Sequence, residues 1–406
     1  MSDTRPPRTR RPLDGILVLD CSTFLAGPFA AGILGEFGAE VIKIEHPGGG
    51  DPFRKYGTPA AESDTLCFLS EDRNRGSVTL DLKSAKGGAL FRRLAAKADV
   101  VVENFRPGTL EKWGLGYASL AAENPRLVML HVSGYGQDGP YRDRPGFARI
   151  AHAFGGLTNL AGMPGGPPLT PGSTSLADYM SGLYGVIGIM MALRDRDASG
   201  EGQEIDIALY EPVFRVLDEL APAYARKGTV RGREGLGTLN ACPHGHFECA
   251  DGGWVAIACT SDKMWERLAA TMGRPELAAP DRFAMSRQRV AAREEVDGIV
   301  SGWTRSMARD QVIQRCVAGE VPCGAVNTIA DIFADPHFEA RGNLERVADP
   351  RAGEVVVPAV VPRLSRTPGR IDRLAPALGA DTDSVLRDKL GLSAAEIAAL
   401  KADKVV

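Results

Sequence analysis

Short apolar runs alternate with amphipathic stretches through the first half of the chain. The run 15–20 is apolar and β-branched between turn-forming residues, the stretch 29–37 has helical spacing, and the run 40–45 is apolar again. The same alternation predicts strands at 77–82, 99–103, 126–133 and 203–209 and a helix at 85–98. Buried strands alternating with helices are typical of a parallel sheet covered on both faces. We therefore expect an α/β fold with a Rossmann-like large domain.

A long apolar helix is predicted at about 176–194. Small residues recur along it at intervals of three and four, so another backbone can approach one of its faces closely. These small residues are Ser181, Gly182, Gly185, Gly188 and Ala192. A further helix is predicted at 211–225.

The chain is predicted to leave the large domain and return to it. We expect a flexible arm at 1–12, a first part of a large CoA-binding domain at 13–225, a linker and small α+β domain at 226–335, and a return segment at 336–406. The linker is the basic, glycine-rich passage 226–237. Within the remainder, the patterns predict a strand at 254–258 and helices at 263–272, 286–307 and 393–401.

Composition excludes several classes of protein. With 44% hydrophobic and 24% charged residues, the chain has the balance of a globular protein. A formal charge of -3 gives no overall positive field for nucleic acid. The seven cysteines are spread out without a CxxC pair, and the apolar stretch 182–193 is too short to span a bilayer. We expect reduced thiols, a cytoplasmic location and no membrane or nucleic-acid partner.

The residue that most suggests chemistry is Asp178, at the start of the predicted long helix. A carboxylate in the first turn of a helix lies near the positive end of the helix dipole, so we expect it to be ionised at neutral pH. Such an anion can act as a nucleophile if it faces a cleft. The alternative is an aspartate that merely caps the helix, and the residues alone leave both interpretations open.

Several stretches along the chain resemble the class III CoA-transferases, a family that includes formyl-CoA:oxalate transferase, carnitine CoA-transferase and α-methylacyl-CoA racemase. The matching stretches occur in the family's order over nearly the whole chain. They are PLDG at 12–15, AGP at 26–28, LGEFGAEVIKIE at 34–45, VTLDLK at 78–83, VENFRPG at 102–108, GYGQDGP at 134–140, LADYMSG at 176–182 and VPCG at 321–324.

This resemblance implies that Asp178 attacks an acyl-CoA thioester and carries first an anhydride and then a thioester to CoA, with no metal. It also implies an interlocked homodimer, or assembly with a homologous second subunit. The implied CoA contacts are Leu25, Ala26, His46, Asp72, Arg73, Asn74, Arg75, Asn104, Phe105, Arg106, Lys112, Ser133, Gly134, Tyr135 and Gly136.

The segments 146–152, 171–174 and 242–247 are most similar to transferases that use succinyl-CoA to activate malate, citramalate or related dicarboxylates. A dicarboxylate requires a cation or hydrogen-bond donors for its second carboxylate. Arg149, His152, His244 and His246 are the candidates. The alternative for Arg149 and His152 is a structural role on a helix.

Two other functions remain open: an acyl-CoA racemase or epimerase, and a CoA-binding subunit of a two-chain transferase. Phe147 and Ala148 stand where the racemase has a histidine and an aspartate, which argues against proton shuttling. Leu25 stands where formyl-CoA transferase has a glutamine, which argues against oxalate. Cys242, His244, His246 and Cys249 could be taken for a zinc site, but the alternation of residues 242, 244 and 246 along a strand would not surround an ion.

Overall fold

The computed structural model describes residues 10–60, 64–172 and 174–406 and divides into two compact units. Of these residues, the first unit contains those up to Leu157 together with 172, 174–218 and 338–406, and the second contains 158–171 and 219–337. The segment 158–171 therefore packs with the second unit, although it lies inside the predicted first part of the large domain. Most of the predicted arm lies outside the described residues. Arg11, near its end, is anchored by an ion pair of 2.8 Å with Asp372.

The first unit is built on a six-stranded parallel sheet. Its strands are β1 (Leu17–Asp20), β2 (Glu40–Glu45), β3 (Arg75–Thr79), β4 (Val100–Glu103), β5 (Val128–Ser133) and β6 (Glu204–Ala208), in the order β3-β2-β1-β4-β5-β6. This is the strand order of the Rossmann fold. Because β1 pairs with both β2 and β4, the connections diverge after β1 and leave a crevice at the carboxyl ends of these strands.

Helices cover both faces of this sheet. In chain order, the helices of the whole described chain, of which α10 to α15 belong to the second unit, are α1 (Ala26–Glu36), α2 (Leu66–Glu71), α3 (Ala85–Ala95), α4 (Thr109–Lys112), α5 (Tyr117–Glu123), α6 (Ala148–Phe154), α7 (Leu157–Leu160), α8 (Leu176–Ser199), α9 (Tyr210–Arg215), α10 (Leu220–Lys227), α11 (Asp262–Thr271), α12 (Ser286–Ala291), α13 (Arg293–Thr304), α14 (Arg309–Ala318), α15 (Ile329–Ala334), α16 (Pro336–Ala340), α17 (Thr382–Leu390) and α18 (Ala394–Ala402). Val128 and Leu130 of β5 belong to the core beneath α1 and α8, whereas Met129 between them belongs to the core beneath α3, as the alternation of a strand requires.

The glycine face of α8 packs against α1, as the spacing of small residues predicts. A Cβ on Gly182 would lie 2.8 Å from a ring carbon of Phe29 and 2.9 Å from the Ala26 carbonyl oxygen. On length and composition alone α8 would pass for a membrane span, since one 18-residue stretch has a mean hydropathy of 1.4, contrary to the expectation that no apolar run is long enough. One face of α8 packs closely on α1, and 39% of that apolar stretch is buried.

The second unit contains a three-stranded antiparallel sheet, with β7 (His244–Glu248), β8 (Trp254–Ala258) and β9 (Cys323–Ala325) in that order. Trp265 of α11 and Val300 of α13 are fully buried in its core. Two predicted helices are each divided: 211–225 into α9 and α10, and 286–307 into α12 and α13. The unit confirms the predicted smaller α+β domain.

The returning part of the chain completes the first unit with a hairpin, β10 (Leu344–Asp349) and β11 (Gly353–Pro358), and with α17 and α18. The patterns predict only the last helix and miss the hairpin, α16 and α17. Val355 and Val357 of β11 pack with Phe53 and Phe68.

Candidate active site

A cleft opens at the point where the strand connections diverge. It has about 230 Å³ of space accessible to water. Its walls are formed by the segments that follow β1, β4 and β5, together with the loop before α6 and the start of α8. The lining residues are Thr23, Phe24, Leu25, Ala26, Asn104, Phe105, Arg106, Pro107, Val132, Ser133, Gly134, Arg144, Pro145, Gly146, Phe147, Asp178 and Leu209.

Asp178 is the carboxylate in this lining. It lies in the first turn of α8, with its backbone N–H donating to the Ser175 carbonyl at 2.9 Å. Ser175, not Asp178, is the N-cap residue, so the carboxylate is not the cap of this helix. Burial raises the pKa of Asp178 to about 7, and a hydrogen bond from the Ser175 hydroxyl only partly opposes this shift. Burial thus acts against the helix dipole, on which the expectation of an ionised carboxylate rests, because desolvation disfavours the charged form.

The loop between β1 and α1 forms one wall of the cleft, and hydrogen bonds to three side chains hold it in place. The Asn104 side chain accepts a hydrogen bond from Thr23 N–H at 2.8 Å and donates one to the Thr23 carbonyl at 2.7 Å. The Asp51 carboxylate accepts from the N–H of Phe24, whose φ of 60° is unusual for a residue with a side chain. Lys43 donates to the Ser22 carbonyl at 3.1 Å. Asn104 thus has a clear positioning role in addition to lining the cleft.

A buried cluster of charged side chains contacts this loop through Lys43. The Lys43 ammonium lies 2.9 Å from Asp51, 3.4 Å from Asp72 and 3.7 Å from Asp20, and Arg75 pairs with Asp20 and Asp72. Burial would lower the pKa of Lys43, but the three carboxylates raise it overall. Asp72 and Arg75 are completely buried, so the contact with CoA that the resemblance implies for both does not fit the structure.

Arg73 and Asn74 also have structural partners. Arg73 forms an ion pair of 2.6 Å with Glu36. The Asn74 side chain donates to the Arg370 carbonyl and accepts from the N–H of Asp372, which ties the returning segment to the sheet. The stretch from Asp72 to Arg75 therefore holds the fold together, and none of its members lines the cleft.

A second cleft, with about 270 Å³ of water-accessible space, lies at the carboxyl ends of β1 and β2 and beyond β3. It contains His46, as expected, and also Lys83, which sequence reasoning missed although it ends the VTLDLK stretch. The Lys83 ammonium lies 5.9 Å from the centre of the Trp113 ring. Thr23 and Phe105 line both clefts, so the two are neighbours.

The remaining predicted contacts surround these clefts. Arg106 is exposed at the rim of the first, and Lys112 is exposed on α4. The Ser133 hydroxyl accepts from Gly136 N–H at 2.9 Å, which shapes the loop after β5. Tyr135 packs edge-on against Phe154, with ring centres 5.2 Å apart.

Of the residues proposed for the second carboxylate, His152 has a definite partner: it is buried on α6, where its Nε2 accepts from Ala177 N–H at 2.9 Å. Arg149 is exposed on the same helix. His244 and His246 lie at alternate positions of β7 in the second unit. Among residues 10–60, 64–172 and 174–406, the His, Cys, Asp and Glu side chains form no group of three that could hold a metal ion.

Arg144 is a cation of the first cleft that sequence reasoning missed. It lines the cleft and stacks on Tyr141, with its guanidinium carbon 3.6 Å from the ring centre. Its signal in the sequence was weak, because Arg142 and Arg144 both lie in a polar turn and only the fold turns one of them toward the cleft.

The sequence model of CoA-transferase family III matches residues 13–382. The chain belongs to this family. Over its whole length it is 56% identical to the alpha subunit of succinyl-CoA–L-malate CoA-transferase of Chloroflexus aurantiacus, covering 95% of that protein. The beta subunit of succinyl-CoA–L-malate CoA-transferase from the same organism is 54% identical, over 98% of this chain and 99% of its own length. Succinyl-CoA–D-citramalate CoA-transferase, also from Chloroflexus aurantiacus, is 43% identical over the full length of both chains.

Solved structures of family members confirm the fold. A CaiB/BaiF family protein from Brucella suis superposes with a TM-score of 0.83 at 35% identity, over 94% of this chain and 100% of its own. Rv3272 from Mycobacterium tuberculosis gives a TM-score of 0.82 at 28% identity, over 93% and 99% of the two chains. This class III CoA-transferase is thus an enzyme whose substrates are a CoA thioester and an acid.

Proposed function

We propose that this enzyme transfers CoA from succinyl-CoA to a small dicarboxylic acid such as L-malate or citramalate, with Asp178 as the covalent carrier. The observation that carries the proposal is the Asp178 carboxylate in the lining of the cleft at the divergence point of the sheet. The choice of donor and acceptor is supported by the relatives named for succinyl-CoA, L-malate and D-citramalate.

The proposed reaction begins when the Asp178 carboxylate attacks the thioester carbonyl of succinyl-CoA. The C–S bond breaks, CoA leaves as a thiolate, and a succinyl-aspartyl anhydride remains. The thiolate then attacks the aspartyl carbonyl, which releases succinate and leaves Asp178 as a thioester to CoA. The acceptor carboxylate displaces the thiolate to form a second anhydride, and attack of the thiolate on the acceptor's carbonyl gives the new CoA thioester and frees Asp178.

The environment of Asp178 suits this chemistry. A carboxylate with its ordinary pKa is a weak nucleophile, but a desolvated one with a pKa of about 7 is more basic and less shielded by water. The cleft walls around Asp178 also limit the access of water to the anhydride before the thiolate returns. The N-terminus of α1, formed by Leu25 and Ala26 in the cleft lining, has no side-chain cap and can stabilise an oxyanion.

Coenzyme A spans the two neighbouring clefts in this proposal. The thioester lies beside Asp178, the pantetheine arm passes Phe105, which lines both clefts, and the phosphates lie near His46 and Lys83 in the second. The net charge of -3 means that these local cations, not an overall field, hold the phosphates.

The distal carboxylate of donor and acceptor is assigned to Arg144 and Arg106. Among the described residues that line the first cleft, these two carry a positive charge. Stacking on Tyr141 orients the Arg144 guanidinium, which leaves its planar N–H groups available for a carboxylate.

A second subunit is part of the proposal. Large apolar side chains remain exposed on α8, namely Leu183, Ile187, Met190 and Met191, and a face of this kind favours a protein contact. We propose a dimer, either of this chain or with a homologous subunit, since relatives are named as alpha and beta subunits. Light scattering measures the mass of the assembly that the purified chain forms. Leu183→Asp is expected to lower this mass. Val230→Asp, at an exposed position in the second unit, is the control and should leave it unchanged.

The mechanism is tested by trapping. After incubation with succinyl-CoA, hydroxylamine is expected to convert Asp178 to a hydroxamate that mass spectrometry of peptides locates. Asp143→Asn, a change at a highly exposed aspartate, is the matched control and should label normally, while Asp178→Asn should neither label nor turn over. An Asp178→Asn enzyme with normal turnover contradicts the mechanism.

Assays on the same enzyme preparation distinguish this proposal from a racemase and from one half of a two-chain transferase. A racemase would wash deuterium into the α-carbon of an acyl-CoA without an acceptor acid. The Phe147 side chain, which lines the cleft where the racemase has a histidine, cannot carry that proton. A chain that binds CoA but labels only after a homologous subunit is added would be one half of a two-chain transferase.

A further inference from the structure

We infer that His152 is a positioning residue that fixes the start of α8 and thereby holds Asp178 in the cleft. This inference rests on the proposed function, because it gives His152 a role through Asp178. His152 lies on α6, and its Nε2 accepts a hydrogen bond of 2.9 Å from the backbone N–H of Ala177, the residue before Asp178.

The start of α8 depends on this contact. The first N–H groups of a helix have no partner within the helix and are normally satisfied by the side chain of the N-cap residue. Ser175 occupies the N-cap position but makes no such bond to the backbone. Ala177 is completely buried, so water cannot replace the missing acceptor. The imidazole from another helix supplies it instead.

The hydrogen bond defines the chemical state of His152. An imidazole nitrogen that accepts from N–H carries no proton, so the ring is neutral with its proton on Nδ1. Burial lowers the pKa of His152, and Arg149 adds to this shift, which favours the same neutral form. Nδ1 is buried without a hydrogen-bond partner among the residues the structure describes. The ring therefore makes one polar contact in the described structure, the one to α8.

The contact also joins two walls of the cleft. α6 follows directly from the segment Arg144 to Phe147, which lines one side, and Phe147 is the N-cap residue of this helix. α8 supplies Asp178 on the other side. Because His152 joins the two helices within one turn of Asp178, its loss would change both the direction of the carboxylate and the distance between the walls.

Three variants test this role. Gln at 152 can present an amide oxygen to Ala177 N–H, Leu fills a similar volume without an acceptor, and Asn has an oxygen but a shorter reach. We expect His152→Gln to keep kcat within about threefold of the wild type. His152→Leu and His152→Asn should lower kcat by roughly 10- to 100-fold with little change in KM for succinyl-CoA, because a displacement of about 1 Å in a catalytic group has costs of this order. His337→Leu, at an exposed histidine, is the control and should be unchanged.

The outcomes distinguish this inference from its rivals. A rise in KM for the acceptor acid with kcat unchanged in all three variants would mean that His152 binds substrate, and would overturn the inference. Equal activity of the Gln and Leu variants would also overturn it. If the Leu variant does not fold, which its circular dichroism spectrum reports, the comparison of Gln with Asn decides. Should Asp178→Asn turn over normally, the proposed function fails; should it be inactive while His152→Leu matches the wild type, only the role of His152 fails.

Discussion

Gly134 and Gly146 cross within van der Waals contact at the wall of the cleft. A Cβ on Gly146 would lie 2.6 Å from the Gly134 Cα, and a Cβ on Gly134 would lie 2.8 Å from the Gly146 Cα. Both contacts involve backbone, so no side chain can move to relieve them. The loop after β5 and the loop before α6 keep their positions because neither residue carries a side chain.

Gly146→Ala should therefore displace the loops that line the cleft. We expect a loss of stability of about 1–3 kcal/mol, the usual cost of overpacking, and a loss of kcat of at least about tenfold. Chemical denaturation and steady-state assays measure the two effects. Gly298→Ala is the control: it lies in α13 with open space around it, and should gain up to about 1 kcal/mol from helix propensity. A Gly146→Ala enzyme as stable and active as the wild type would contradict the close crossing.

The pH dependence of activity should report the ionisation of Asp178. Because burial raises its pKa to about 7, kcat/KM is expected to rise with pH through the neutral range and level off above it. Assays of kcat/KM from about pH 5 to about pH 9, in steps of roughly half a pH unit, locate the midpoint of this rise. A midpoint near the ordinary aspartate value would show that the carboxylate is solvated.

The same shift predicts a stability effect. A carboxyl group whose pKa is higher in the folded than in the unfolded state stabilises the fold below its ordinary pKa, and this contribution is lost as pH rises through the folded value. For Asp178 the loss extends from its ordinary 3.8 to about 7. Asp178→Asn should therefore unfold at higher denaturant concentration than the wild type at alkaline pH, with a smaller difference at acidic pH.

Removal of the buried ammonium of Lys43 should be strongly destabilising. Asp20 and Asp72 would then share Arg75, and Asp51 would lose the ammonium 2.9 Å away, in a site with almost no solvent exposure. We expect Lys43→Met to cost about 3–5 kcal/mol in urea unfolding, the range for breaking a buried pair from one side. Lys86→Met, which breaks a surface pair with Asp403, should cost less than about 1 kcal/mol. Equal effects of the two changes would show that the cluster is not tightly packed.

We expect Lys83 to bind the phosphates of CoA and to have no part in the reaction of the thioester. Lys83→Ala is expected to raise KM for succinyl-CoA about tenfold with kcat nearly unchanged, since a uniform binding contact is lost. With succinyl-pantetheine, which lacks the phosphates, the variant and the wild type should behave alike. Lys263→Ala, at an exposed position of the second unit, is the control. A loss of rate with the truncated donor would place Lys83 elsewhere in the reaction.

Arg144 should select acids with a second carboxylate. Arg144→Gln is expected to lower kcat/KM for succinyl-CoA relative to butyryl-CoA, whose chain has the same length without the distal charge, by about tenfold or more. The KM for L-malate should rise in parallel. Arg142→Gln, two residues away in the same exposed turn, is the control and should leave both ratios unchanged.

The sequence is enough to predict the class of fold and to single out Asp178, the carboxylate that lines the first cleft. Apolar runs such as 15–20 and 126–133 predict buried strands because a parallel sheet covered on both faces needs continuous hydrophobic segments. The small residues of α8 predict its close packing, and the matching stretches along nearly the whole chain together carry the resemblance to the family. These features depend on the spacing of neighbouring residues, which can be read directly from the linear sequence.

The roles of the polar side chains follow from their three-dimensional surroundings. The resemblance implies that Asp72 and Arg75 contact CoA, yet they lie in the buried cluster around Lys43 because β1, β2 and β3 are neighbours. His152 resembles a substrate ligand, yet it completes a helix 25 residues further along the chain. The pKa of Asp178 likewise depends on desolvation by elements distant in sequence. Charge, burial and hydrogen bonding are properties of three-dimensional neighbourhoods, so the spacing of residues along the chain cannot determine them.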